Sequence, residues 1–122
     1  MYRDPSKILI DSIKRLLRRG ATSHLSKIVN RAHAADLSVV FGVVSLHDQL
    51  TLFNLLSDPT DKGVLISELD EDAATELIEN LPIDEVVTIL EEMPNDDVAD
   101  LIGRLPEELS ATILDRMHDE GS

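Results

Sequence analysis

The chain contains no cysteine and no tryptophan, and among its 122 residues there are one tyrosine and two phenylalanines. Without cysteine there are no disulfides and no thiolate metal sites. Without large aromatics, the 43% of the chain that is apolar is almost all Leu, Ile, Val and Ala. That composition suits thin layers of short helices better than a large sandwich. No apolar run approaches the roughly 18 residues that a membrane span needs. The first stretch is amphipathic and basic, which is not the pattern of a secretory signal. These absences point to a soluble, cytosolic chain or to the soluble piece of something larger. Positive charge is scarce in most of the chain as well. Residues 32–122 hold three Lys/Arg against 22 Asp/Glu, a balance of −19, whereas residues 1–31 hold eight against two, a balance of +6. The acidic body repels nucleic acid and anionic lipid, and attracts cations or a basic partner.

What the chain does have is a repeat. Ala32, Val44, Leu56, Leu69, Leu81, Met93, Leu105 and Met117 lie 12, 12, 13, 12, 12, 12 and 12 residues apart. A pair of apolar residues recurs late in each unit: Val40 and Phe41, Leu52 and Phe53, Leu65 and Ile66, Leu77 and Ile78, Ile89 and Leu90, Leu101 and Ile102, Ile113 and Leu114. Steps of four to five, eight to nine and twelve residues form one helical stripe. Pro82, Pro94 and Pro106 each follow an anchor, where the first turn of a helix tolerates proline. Acidic pairs come next, at Glu71 and Asp72, Asp84 and Glu85, Asp96 and Asp97, and Glu107 and Glu108. Carboxylates there favour the positive end of the helix dipole by roughly 0.3–1 kcal/mol each. Each unit is therefore expected to be one helix of about eight residues and a tight corner. Helices that short persist only when stacked, which predicts an α-superhelix whose units bury their stripes on their neighbours. Leu69, Leu77, Leu81, Ile89, Leu101 and Leu105 are expected in the core.

Upstream, residues 6–19 read as a longer basic helix stopped by Gly20, with Ile10, Ile13, Leu16 and Leu17 on one side. Residues 20–24 read as a link to a second helix over about 25–31. The basic helix is expected to dock on the acidic body or on a neighbouring chain.

Nothing in the sequence is arranged for catalysis, and the chain reads as a non-enzyme. His24, His33, His47 and His118 share no spacing, and His33 is expected to cap or pack at a helix start. The glycines are scattered, so no phosphate loop exists, and no Ser–His–acid arrangement is evident. The carboxylate pairs lie on helix ends with no apolar pocket to raise a pKa. The one candidate site is acidic: Asp96, Asp97 and Asp100. The first two are explained by helix-end electrostatics, which recurs in every later unit. Asp100 is not, because its equivalents are Glu76, Thr88 and Thr112. Asp96 and Asp100 share a helix face at a spacing where like charges repel by a few tenths of a kcal/mol. A divalent cation would reverse that repulsion.

The stretches "HAADLSVVF" (33–41) and "ILEEMPNDDVADLIGRLPEE" (89–108), with the twelve-residue anchors between them, resemble the cytosolic N-terminal domain of MgtE-family magnesium transporters. The resemblance covers about residues 25–117. It implies an all-α fold, a right-handed superhelix of short helices, here preceded by one longer basic helix. The expected division is 1–20 for that basic amphipathic helix and 21–122 for the superhelix. The resemblance further implies a regulatory magnesium-sensing domain that closes against CBS modules when magnesium is bound. Its partners would be those CBS modules and the membrane pore of the parent transporter, with no nucleic acid and no direct membrane insertion. Any homodimer would form through the parent protein, with the domain held at the cytosolic face of the cell membrane. The family's magnesium-contacting aspartates fall on Asp96 and Asp100, and a further family carboxylate falls on Val64. Mg2+ would bind weakly at Asp96, Asp97 and Asp100, sharing its remaining contacts with a CBS module that these 122 residues do not include. The alternative is a protein-interaction scaffold with no specific metal site.

Overall fold

The computed structural model describes residues 5–121, with side chains from Ser6 to His118. Within that range the chain is all helix: α1 (Pro5–Arg19), α2 (Thr22–Arg31), α3 (Ala34–Phe41), α4 (Leu46–Leu55), α5 (Pro59–Glu68), α6 (Glu71–Glu79), α7 (Ile83–Glu91), α8 (Asn95–Arg104) and α9 (Glu107–Gly121). From α3 to α8 the helices run 8–10 residues, as the repeat predicts, whereas α1 and α9 both reach 15.

Local chemistry sets the boundaries. Ser45, Asp58 and Asp70 cap α4, α5 and α6 by accepting hydrogen bonds from the backbone N–H groups of Asp48, Thr60 and Ala73, which satisfies donors that a helix start leaves open. Pro82 and Pro94 occupy the cap position itself, one residue before the helix, and their carbonyls accept from Val86 and Val98. A cap residue contributes its C=O to the first turn, so the missing N–H costs nothing. His33 also stands at a cap position, but its side chain makes no capping bond. The link after α1 is shorter than expected, because Gly20 and Ala21 alone separate the two helices. Gly20 has φ +66°, its N–H bonds Leu17 O, and the N–H of Ala21 bonds Leu16 O. This is the paired-bond C-terminal cap that needs a left-handed residue, and it turns the chain so tightly that α2 starts at Thr22.

The twelve-residue sequence period is not the stacking period. Beyond the α1–α2 pair, the main packing joins second neighbours: α1 with α3, α3 with α5, α5 with α7 and α7 with α9, and in a second row α2 with α4 and α4 with α6. Two helices, about two repeats, therefore form the structural unit. Each corner throws the next helix into the other row, and the stripe is buried between rows as well as along them. One continuous core results, from Ile13 in α1 to Ile113 in α9, including Phe53, Leu65, Leu77 and Ile89. Gly63 marks where α5 lies hardest against the corner before α8, since a Cβ there would stand 2.7 Å from the Met93 side chain. Asn30 ties α2 to the α4–α5 corner: its amide donates to Leu55 O, and its oxygen accepts from the N–H and hydroxyl of Ser57. Buried Gln49 donates to Phe41 O.

Of the six residues expected in the core, five are buried and Leu81, at the α6–α7 corner, is half-buried. The apolar pairs are buried in every unit up to Leu90, but Ile102 is half-buried and Leu114 is 48% exposed. The basic helix does dock on the body. Its contact is mainly apolar: Ile13 is fully buried, Leu9, Ile10, Leu16 and Leu17 pack against the same core, the Ser6 hydroxyl donates to Asp36 of α3, and no cation of α1 forms an ion pair among the described residues. Docking therefore follows from the hydrophobic stripe and not from the opposite charge of the body. No described helix is long and apolar enough to cross a membrane.

Candidate cation-binding face

The acidic body contains three cations, Lys62, Arg104 and Arg116, and two of them, Lys62 and Arg116, pair with the carboxylates that open α7. Lys62 Nζ of α5 is 3.0 Å from Glu85 Oε1 of α7, with both side chains largely covered, and it also stands 5.1 Å from the centre of the Phe53 ring. Arg116 of α9 reaches Asp84 Oδ1 at 2.8 Å through Nη2 and again through Nε. The acidic pair that opens α7 is thus used inside the molecule, one carboxylate towards each neighbour in its row. These two bridges were not legible in the sequence, which showed the pair only as a helix-end feature. The usable signal was the scarcity of cations, which leaves each one surrounded by candidate partners.

The pair that opens α8 has no such use. Asp96, Asp97 and Asp100 are all exposed, and none forms an ion pair among the described residues. Asp96 and Asp97 occupy the first turn of α8, where the dipole favours them. Asp97 and Asp100, together with Arg104, line a shallow cleft of about 70 Å3 against Ile66 and Ser67 at the end of α5, with Leu101 at its base. Asp96 lies outside that cleft. The structure thus brings Asp97 and Asp100 together on one cleft and leaves Asp96 exposed outside it. Among the described residues no three His, Cys, Asp or Glu side chains converge closely enough to enclose a metal ion. The donors are carboxylate oxygens alone, which suits a hard cation that keeps most of its water.

Val64, where the family pattern has a carboxylate, is 47% exposed. It lines a second cleft, of about 210 Å3, with Asn30, His33, Leu37 and Asp61. Asp61, which the sequence reading passed over, stands three residues before Val64 on the same face of α5. A carboxylate is therefore available there, one turn away from the position where the resemblance would place it.

No curated protein sequence matches the chain significantly. A crystal structure of the soluble part of a magnesium transporter has the same fold, with a TM-score of 0.77 at 17% identity, over 90% of this chain. This chain spans 43% of the length of that one. The family model of the MgtE intracellular N domain matches residues 32–122, from the first anchor through all the repeats. The structural likeness takes in a larger share of the chain than that match does, in keeping with a core that already includes Ile13 of α1. That match covers well over half of the chain, which belongs to the MgtE intracellular N domain family.

Proposed function

We propose that this chain is the magnesium-responsive regulatory domain of an MgtE-like magnesium transporter, held at the cytosolic face of the membrane, and that it closes against CBS modules when magnesium is bound. The observation that carries the reading is the contrast between two equivalent helix starts. Asp84 and Glu85 are neutralised by Arg116 and Lys62, whereas Asp96, Asp97 and Asp100 stay exposed and form no ion pair among the described residues. In a chain with so few cations, three adjoining carboxylates without partners are a site for positive charge from outside. Asp97 and Asp100 would hold Mg2+ through one or two oxygens and retained waters, with Asp96 adding charge beside them. Asp61, on its own cleft, is the residue to supply the further carboxylate that Val64 does not. The ion supplies charge neutralisation, which allows a second acidic surface to approach. The chain's own part is to present the carboxylates on a rigid helix that leans on α5. With two or three carboxylates and no enclosure, affinity in the isolated chain is low, and the remaining contacts come from the partner module.

The test is a magnesium titration followed by amide NMR on the wild type, Asp97→Asn and Asp100→Asn, against a sodium control of equal ionic strength. Saturable shifts centred on residues 95–101, reduced by either substitution, are expected. Shifts of equal size at every acidic helix start, matched by sodium, would mean simple screening and would return the chain to the role of an interaction scaffold.

A further inference from the structure

The last two apolar pairs of the repeat are covered less fully than the earlier ones. The second residue of each apolar pair is buried in five successive units, as Phe41, Phe53, Ile66, Ile78 and Leu90. Its last equivalents are the half-buried Ile102 and Leu114, which is 48% exposed. The position is one that the fold covers wherever a further helix is available. On α9 it sits on a ridge with acidic neighbours: Glu107, Ala111, Leu114 and Asp115 share one exposed side of the helix.

The other end of the chain carries the complement. Lys14 and Arg18, one turn apart on α1, border a cleft of about 340 Å3 between α1 and the α3–α4 corner. Its floor is apolar, made by Leu17, Val43 and Val44, and Val43 is 48% exposed. Ser45 and Asp48, at the start of α4, close the far side. Arg15 and Arg19 are exposed beside it, and none of these four cations forms an ion pair. An apolar floor with cations on one wall and an aspartate on the other fits an apolar side chain that has a carboxylate on one side only. The apolar side of α1 is spent on the core, leaving Ile8 as its one exposed large apolar residue, so α1 has no face to insert in a lipid surface.

We propose that the α9 ridge of one copy docks in the α1–α4 cleft of a second copy, with Leu114 on the floor of Leu17, Val43 and Val44 and with Asp115 and Glu107 towards Lys14 and Arg18. The two surfaces are unlike, so the contact is head-to-tail and continues as an open chain of copies, without stopping at a pair. In effect the helical rows of one molecule carry on into the next, as units do within a solenoid. A single ridge in a cleft buries less than about 1,200 Å2, which places the contact among weak, transient ones, and its charged wall makes it sensitive to salt.

The experiment is sedimentation of the full 122-residue chain up to millimolar concentration, in EDTA, so that its outcome is independent of the magnesium proposal. At low salt the mean mass is expected to rise with concentration past that of a dimer, and the rise is expected to vanish in high salt. Two neutralised variants sharpen the test. R15Q/R18Q removes cations of the cleft end, and L114S/D115N removes the ridge. All four positions are exposed, so circular dichroism should show both variants folded. Each alone should stay monomeric, and an equal mixture should give a dimer and nothing larger, because one good ridge then meets one good cleft. A wild type that is monomeric at all concentrations would overturn the proposal. So would association that stops at a symmetric dimer, association unchanged in both variants, or a monomer that instead binds vesicles of anionic phospholipid.

Discussion

The first two helices and the seven that follow each carry an apolar stripe and have opposite charge, and the stripe settles how each is held. Residues 1–31 have a balance of +6 and residues 32–122 of −19, an asymmetry that suggests electrostatic docking of one on the other. In the structure α1 is held chiefly by Ile13 and the other apolar residues of its inner side, and none of its cations forms an ion pair among the described residues. The ion pairs occur inside the acidic region instead, where Lys62 and Arg116 tie α5 and α9 to the start of α7. Net charge therefore describes what each region offers to other molecules, and a few specific contacts describe how it is joined to this one. The reason is one of range and screening. Exposed charges separated by more than about 8–10 Å interact little at physiological salt, whereas burial of an apolar side chain acts at contact and is indifferent to salt of that strength.

The comparison breaks if the two regions are not parts of one core, and that is where the largest effects are expected. Ile13→Ala in α1 and Leu77→Ala in α6 each remove a side chain that is fully buried, and each should cost about 2–5 kcal/mol. Thermal unfolding followed by circular dichroism should give a single transition lowered by similar amounts in both. A second, separate transition for Ile13→Ala would mean that α1 is attached to the body and not built into it.

A smaller effect is expected for the ion pair of the acidic region. Lys62→Met keeps the apolar stem beside Phe53 and loses the charge that meets Glu85, whose side chain is 26% exposed. The loss should be about 1 kcal/mol, the usual net worth of a partly covered charged hydrogen bond. Chemical denaturation at low and high salt measures it, and wild type and variant should converge as salt rises. A variant as stable as the wild type at low salt would show that the Lys62 stem and not its charge holds α5 against α7.

The smallest effect is expected where the charge is greatest. Replacing Arg15, Arg18 and Arg19 together by Gln should change stability by less than about 0.5 kcal/mol, because none is paired among the described residues and each is exposed. A large loss in the same denaturation experiment would restore the electrostatic account of α1 docking.

Much of this fold was legible in advance, and the limits of that legibility fall at particular residues. The anchors and apolar pairs located every helix from α3 to α9, because a helix period is a local property of side-chain spacing. The stop at Gly20 was equally local, since a left-handed cap needs a residue without a Cβ. The same local rule that explained Asp84, Glu85, Asp96 and Asp97 as helix-start carboxylates could not divide them into two pairs with different fates. That division rests on Lys62 and Arg116, which are 23 and 32 residues from their partners in sequence. The cleft that selects Asp97 and Asp100 over Asp96 depends likewise on α5.

By itself the sequence determined the helices, their length, their corners, the inward stripe and the sign of charge at each end, since each of these follows from residues within a turn or two of one another. Only the tertiary structure decided that second neighbours stack, so that two repeats make one unit. It alone decided that α1 joins the core through Ile13, which carboxylates are neutralised, and that Leu114 is left uncovered. A stripe of apolar side chains fixes which face of a helix turns inward, but any other stripe can cover it. The choice among them is made by the corners, each of which sends the next helix into the other row.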